Sequence, residues 1–258
     1  MAWRPLGAVH PKALSEARIQ AHYAVQRVSA PATVLINATP DWSYTALTWN
    51  ETHRALVSHI LPSGTVLGLR LPDLTIIEIH DQAVVHEYDL AGRSHTDIDL
   101  YLAVHLEAFG LKSADLSNVT YADMPDHVVA QCGHYDPNGL ASEFEELANW
   151  FGNASAVLEI VREELATATP GPSPVYCWPH HFDIATLVMF DAGDPEQARS
   201  IGIGMSPGDR SYDQPYYYVN PWPPISTDDL PAIPEPGHWH TAGFVGAVAT
   251  GEHILAQA

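Results

Sequence analysis

The stretch Val175-Tyr-Cys-Trp-Pro-His-His-Phe-Asp-Ile-Ala-Thr-Leu-Val-Met-Phe190 combines a strand-like apolar pattern with polar side chains that can bind metals or carry protons. Because side chains alternate between the two faces of a strand, His181, Asp183 and Ala185 are predicted to share one face, and His180 to lie on the other. We therefore expect one packed face and one chemical face on this strand, and we expect the fold to be organised around it.

Charge and composition limit the classes of partner. The chain has 258 residues, of which 46% are hydrophobic, enough to bury the core of a globular protein. Its 31 acidic and 11 basic residues give a formal net charge of -20. Such a charge opposes binding to a phosphate backbone or to an anionic membrane. We therefore expect neither nucleic acid nor membrane as a partner, and the sequence leaves the oligomeric state open.

Cysteine usage and the N-terminal residues favour a cytoplasmic protein. Cys132 and Cys177 are far apart and form no CxxC motif, which is typical of a reducing compartment rather than of a disulfide framework. The residues after Met1 lack the apolar core of a signal peptide, and no run approaches the roughly 20 apolar residues of a membrane span.

Hydrophobic periodicity predicts an α+β protein with largely antiparallel sheets flanked by helices. Apolar positions at helical spacing predict helices over 11–29, 96–110 and 140–166. Runs of β-branched and aromatic residues separated by turn residues predict two blocks of strands. The first block comprises Thr33–Asn37, Tyr44–Trp49, Ala55–Leu61, Val66–Leu69, Leu74–His80 and Val84–Tyr88, read as a meander, and the second comprises the opening stretch, Ser200–Met205 and Tyr216–Asn220.

The domain prediction is one compact domain over 1–258. The order of helix, strands and helix occurs twice, so two similar halves, 1–130 and 131–258, could have arisen by internal duplication. The same order of elements is common in unrelated segments, so we favour this explanation over an internal duplication.

Several motifs together resemble a bacterial family that carries a domain of unknown function, DUF5996. They are Ala21–Gln26, Tyr135-Asp-Pro137, Trp178–Thr186, Gly204–Gly208 and Tyr216-Tyr-Tyr218. In that family the central strand is similar to an aromatic-Trp-Gly-Ser-Phe-Asp-Leu-Ala-x-Thr pattern, and the residues that match it are Trp178, Phe182, Asp183, Ala185 and Thr186. His180 and His181 replace the small pair, so Asp183 carries over better than the histidines do. The resemblance implies no activity.

The predicted functional site is a metal centre. His181 and Asp183 form an HxD pair, and His238 and His240 form an HxH pair. If both pairs lie on strands, each presents two ligands from one face, and together they could hold Zn²⁺ or Fe²⁺ with open coordination positions. The sequence thus predicts a metal-dependent enzyme acting on a small molecule.

The predicted catalytic residues are Asp183 and, to orient the substrate, Arg210 or Tyr217, although Arg210 could instead form an ion pair with a carboxylate. Arg210 is the last cation of the chain, and Tyr217 lies in an aromatic run. No Lys or Arg follows Arg210, which disfavours an oxygenase that uses 2-oxoglutarate, because such an enzyme needs a cation for the co-substrate's far carboxylate.

Two other interpretations stay open. Fifteen histidines make chance spacing common, so the protein could be a cofactor-free binding protein whose histidines only form hydrogen bonds and whose pocket is lined by aromatic residues. It could also be a partner-binding protein without pocket chemistry. The G-x-S-x-G match at Gly204–Gly208 does not favour a serine hydrolase, because Pro207 has no N–H to contribute to an oxyanion hole.

Overall fold

The computed structural model describes residues 3–117, 124–192, 198–228 and 230–257. In these ranges the protein combines five α-helices with two antiparallel sheets of five and seven strands. The predicted α+β class is therefore confirmed.

The three predicted helices are present, with somewhat different ends, and two short ones accompany them. The helices are α1 (Ser15–Leu35), α2 (His95–Leu106), α3 (Ser113–Ser117), α4 (Ala141–Glu164) and α5 (Gly251–Leu255). Pro11 begins a turn of 3-10 helix that leads into α1, as expected for a proline at a helix start.

One predicted strand is wrong. The run Thr33–Asn37 was expected to be a strand because it is rich in β-branched residues, but α1 continues to Leu35. The Thr33 hydroxyl donates to the carbonyl of Ala30, and the Ile36 amide donates to the carbonyl of Ala32. Here a continuing helical ladder overrides a weak residue preference.

The five-stranded sheet is the predicted meander. Its strands are β1 (Thr48–Asn50), β2 (Ala55–Val57), β3 (Val66–Arg70), β4 (Thr75–His80) and β5 (Ala83–Asp89), and their order in the sheet follows the chain. Alternate residues of these strands build a buried apolar cluster on one face, which consists of Ala55, Val57, Ile77 and Ile79.

The β4–β5 hairpin contains a bulge that decides which side chains face each other. Its two loop residues, Asp81 and Gln82, both have positive φ, the backbone that a tight type I′ turn requires. Glu78 pairs with His86, but Ile79 pairs with Val84. Val85 is therefore the extra residue of a β-bulge, and the bulge lets Val84 and His86 lie on opposite faces although they are two residues apart.

The seven-stranded sheet is not a meander. Its strands are β6 (Gly171–Pro172), β7 (Tyr176–Trp178), β8 (Asp183–Met189), β9 (Ser200–Ser206), β10 (Tyr216–Trp222), β11 (His238–His240) and β12 (Gly246–Thr250). The strand order is β11-β12-β10-β9-β8-β6, and β7 pairs with β8 off this path.

The stretch 175–190 is not one continuous strand, as we had expected. Strand β7 ends at Trp178, residues 179–182 form a turn, and strand β8 begins at Asp183. Phe182, in this turn, has a φ of 61°, which is not strand geometry. The face alternation that placed His181 beside Asp183 therefore does not apply.

The chain divides into two compact units, each of them discontinuous in sequence. The first contains β8 to β12 and the second contains the five-stranded sheet; the first consists of Met1–Ser15, Asn149–Tyr176 and Asp183–Ala258, and the second of Glu16–Ala148 and Cys177–Phe182. The predicted halves, 1–130 and 131–258, are continuous instead. The single-domain organisation and the duplication stay predictions.

None of the helices in the described ranges has the length and apolarity that crossing a membrane requires.

Candidate functional site

Within the described ranges, one group of carboxylate, imidazole and thiol side chains is close enough to hold a metal ion. It consists of Glu78, His86 and His105, whose ligand atoms all lie within 4.8 Å of one another. All three belong to the unit that contains the five-stranded sheet.

The hairpin places the first two ligands. Glu78 is in the middle of β4, and only 4% of its surface is exposed. His86 lies directly opposite on β5 and is exposed. Directly paired residues of antiparallel strands share a face. The pair therefore consists of a buried carboxylate beside an imidazole that solvent can reach.

Helix α2 places the third ligand and a tyrosine that supports the site. Tyr101 and His105 are four residues apart, so both lie on one face of the helix. The helix begins with a capping box in which Ser94 and Asp97 satisfy each other's backbone amides. Leu102 is fully buried and anchors the helix.

Two side chains of α2 bond to the same oxygen of Glu78. His105 Nδ1 lies 2.6 Å from Oε1 of Glu78, and the Tyr101 hydroxyl donates to the same Oε1 at 2.7 Å. The His86 and His105 rings meet edge to face, with centroids 4.9 Å apart. Tyr88, on β5, stacks on Tyr101 at 4.1 Å and so completes an aromatic wall beside the carboxylate.

The protonation of Tyr101 follows from its surroundings. Burial, and then the hydrogen bond to Glu78, raise the pKa of Tyr101 well above its ordinary value. Because a raised phenol pKa keeps the hydroxyl protonated, Tyr101 remains a donor to Glu78 throughout the neutral range.

The chemical types of these three side chains are ones that bind transition metals in proteins. Two imidazoles and one carboxylate are the protein ligands of several zinc enzymes and of the iron facial triad, and they leave coordination positions open. A carboxylate that binds a metal is commonly oriented by a hydrogen bond from a neighbouring side chain, and Tyr101 donates such a bond here. The three side chains are close enough to hold a metal ion.

The residues of the predicted metal site have other described partners. His181 is exposed in the 179–182 turn, where its ring lies 4.3 Å from that of His180. Asp183, the first residue of β8, accepts a short hydrogen bond from the Tyr218 hydroxyl. That these residues bind a metal stays a prediction.

His238 and His240 lie on a strand, as the HxH spacing had suggested. This strand is β11, and both imidazoles bond to the Tyr212 hydroxyl, at 3.0 Å for His238 Nε2 and 2.9 Å for His240 Nδ1. Burial, followed by the neighbouring His253 and His240, lowers the pKa of His238. Its ring is therefore neutral at neutral pH, the form that binds a metal.

The two residues predicted to orient a substrate lie in different surroundings. Arg210 is exposed in the loop between β9 and β10. Tyr217 is on β10 next to Trp150, with ring centroids 6.4 Å apart. Its hydroxyl is buried and has no hydrogen-bond partner among the described residues, and burial raises its pKa. Their catalytic roles remain predictions.

Comparison of the chain with protein-family models, with curated proteins and with solved structures gave no match. The resemblance to the DUF5996 family therefore remains an expectation.

The sequence interpretation missed Glu78, His86 and His105, although one signal was present. Glu78 interrupts the apolar run Thr75-Ile-Ile-Glu-Ile79, and a carboxylate in a buried strand requires partners. His86 could not be assigned as its partner, because simple alternation puts Val84 and His86 on the same face, and only the bulge at Val85 separates them.

Proposed function

We propose that this protein is a metal-dependent enzyme that acts on a small molecule, with Zn²⁺ or Fe²⁺ bound by Glu78, His86 and His105. The observation that carries the proposal is the buried carboxylate of Glu78, which has His105 at 2.6 Å and the Tyr101 hydroxyl at 2.7 Å. The exposed His86 gives an ion and its water a path from solvent.

The distances suit coordination. Two ligand atoms that each bind one ion at about 2.1 Å are at most about 4.2 Å apart. Glu78 Oε1 and His105 Nδ1 are 2.6 Å apart, so they would move slightly apart around an ion. The ligand atom of His86 lies within 4.8 Å of both. The charge of -20 also attracts cations to the protein surface.

The residues around the ligands have defined tasks in this proposal. Tyr101 fixes the orientation of the carboxylate, and Tyr88 stacks on the Tyr101 ring and helps to hold it in place. A bound ion would supply a Lewis acid and would lower the pKa of its water to about 7. We propose a small-molecule substrate because a metal with three protein ligands keeps coordination positions open, and in catalytic sites these positions bind water or substrate.

A purely structural role competes with this proposal. A buried carboxylate is also satisfied by a tyrosine and a histidine alone, and in that case no ion is needed. The two explanations differ in whether Glu78 controls metal binding.

The test is metal binding by the full chain. After removal of bound metals, Zn²⁺ and Fe²⁺ are titrated into the wild type and into Glu78→Gln. We expect Glu78→Gln to lower the metal affinity of this centre by about 100-fold or more. The loss of a ligand should cost at least as much affinity as the loss of a residue that only orients a ligand.

Glu87→Gln is the matched control. Glu87 is on the same strand as His86, is largely exposed, and forms a surface ion pair with Arg70 at 2.7 Å. Its loss should change affinity by no more than about twofold, since surface pairs contribute little. Equal binding by wild type and Glu78→Gln, or no binding by either, would reject the metal centre.

A further inference from the structure

Tyr212 brings a third potential ligand to the HxH pair of β11. Its hydroxyl oxygen is 3.0 Å from His238 Nε2 and 2.9 Å from His240 Nδ1. Each distance is below the limit of about 4.2 Å for two ligands that share one ion. All three residues belong to one compact unit and are half-buried, so solvent ions can reach them.

The hydrogen bonds of His240 fix which of its nitrogens is free to bind an ion. Its Nε2 bonds to the carbonyl oxygen of Ala242. A carbonyl only accepts, so the proton of neutral His240 is on Nε2, and Nδ1 carries the lone pair that faces Tyr212. Histidines that bind a metal commonly donate the N–H of their other ring nitrogen to a backbone carbonyl in this way.

The hydrogen bonds of Tyr212 also fix the position of the proton on His238. The single Tyr212 proton must serve His240 Nδ1, so His238 Nε2 must donate its proton to the Tyr212 oxygen. His238 Nδ1 is then an unprotonated nitrogen, and it is buried without a hydrogen-bond partner among the described residues.

We propose that Tyr212, His238 and His240 form a second metal site, which binds a divalent transition metal through two imidazoles and a phenolate. Nitrogen and oxygen donors of this kind suit Cu²⁺ best among the divalent metals. Binding moves the His238 proton from Nε2 to Nδ1 and releases the phenol proton of Tyr212 to solvent, so one proton leaves for each ion bound.

The site shares no residue with Glu78, His86 and His105. It does not rest on the proposed function, and either centre can fail without the other. It does use two of the four ligands predicted from the sequence, His238 and His240, and replaces the other two by a phenol from the same unit.

The experiment is a titration of the metal-free full chain with Cu²⁺, followed by visible absorption. Phenolate ligation produces a ligand-to-metal charge-transfer band that histidine ligation does not produce. We expect the band in the wild type and in Glu78→Gln, and we expect it to be absent in Tyr212→Phe. His240→Gln should weaken the Cu²⁺ affinity that this band reports by about 10–100-fold.

Tyr217→Phe is the matched control, because it also removes one phenol of this unit whose hydroxyl has no described partner. It should keep the band. A second readout is proton release, measured by calorimetry in two buffers of different ionisation enthalpy, which should fall by one proton per ion in Tyr212→Phe.

Several outcomes would overturn the proposal. These are the absence of a band in the wild type, a band that persists in Tyr212→Phe, which would mean adventitious metal only, and proton release that is the same in both proteins. Circular dichroism of each variant checks that the fold is intact, and His240→Gln supplies an independent test if Tyr212→Phe does not fold.

Discussion

Two tyrosine–carboxylate pairs lie in different parts of this chain, and their surroundings differ. Asp183 accepts from Tyr218 across strands of the seven-stranded sheet, and Glu78 accepts from Tyr101 where α2 meets the five-stranded sheet. The sequence pointed to Asp183 of the first pair, because His180 and His181 lie close to it in the chain, but it did not point to Tyr218. The second pair has its histidines close in space instead.

The two pairs differ in how the backbone brings histidines close to the carboxylate. His105 reaches Glu78 because it lies one helical turn after Tyr101, and His86 faces Glu78 because of a hairpin with a bulge. His181, two residues before Asp183, lies in a turn and is exposed. Short spacing in sequence builds a site only when the intervening backbone is regular, and at Phe182 it is not.

The largest expected effect is on Zn²⁺ affinity, and it should differ between variants of His105 and of His181. His105→Gln should weaken Zn²⁺ binding at the Glu78 centre by about 100-fold, because it removes a ligand. His181→Gln, the same change at an exposed residue, should leave the affinity unchanged. The affinity is measured by competition with a chromophoric chelator.

The opposite result would restore the metal site predicted from the sequence. If His181→Gln abolishes binding and His105→Gln does not, then the ion is bound with Asp183, and the contact between Glu78 and His105 is a hydrogen bond with only a structural role.

A smaller effect is expected when the tyrosine of each pair, Tyr101 or Tyr218, is replaced by phenylalanine. Tyr101→Phe should lower the metal affinity of the Glu78 centre by about 10–100-fold, because it removes the hydrogen bond that orients the ligand Glu78. Tyr218→Phe removes an equivalent bond to Asp183 and should leave that affinity unchanged. Both changes should lower the free energy of unfolding of the metal-free protein by about 1–3 kcal/mol, since each takes a donor away from a carboxylate.

Urea unfolding and metal titration of the two variants measure these quantities. Equal loss of metal affinity in both would mean that Tyr101 acts through general destabilisation and not by positioning Glu78.

Much of the fold could be predicted from the sequence because local pattern dominates it. The α+β class, three helices and the meander of the first sheet follow from periods of 3.6 and 2 in apolar residues. Residues such as Leu102 and Ile77 are buried as these periods require. The prediction failed at Thr33, where the preceding helix continues. It also failed over 179–182, where a turn that contains Phe182 with a positive φ interrupts the predicted strand.

The candidate site was harder to predict, because it depends on contacts between distant residues. Glu78 and His105 are in contact although they are 27 positions apart in the sequence, and no short motif contains both. His238 and His240 do lie on one strand, and both imidazoles bond to the Tyr212 hydroxyl, while their role as metal ligands stays a prediction. Tyr212 itself lies in a loop, where periodicity predicts nothing.

The smallest expected effect concerns the glycine on which the Asp183–Tyr218 pair depends. The Tyr218 side chain lies over Gly204 of the neighbouring strand, where an added Cβ would be 2.5 Å from the hydroxyl oxygen and 2.8 Å from Ala185 Cβ. This contact, and not a nucleophile elbow, gives the glycine of the G-x-S-x-G match a physical reason. Gly204→Ala should therefore move the Tyr218 ring away from Asp183.

Overpacking of this kind costs about 1–3 kcal/mol, and removal of a glycine returns about 0.4–1 kcal/mol through the unfolded state. We expect Gly204→Ala to lower the free energy of unfolding by about 1–2 kcal/mol in urea. Gly202→Ala is the control on the same strand: its Cβ would meet the end of the flexible Asn220 side chain, which can rotate away. If the two alanine variants are equally stable, Tyr218 does not require the space above Gly204, and its bond to Asp183 is less constrained than that of Tyr101 to Glu78.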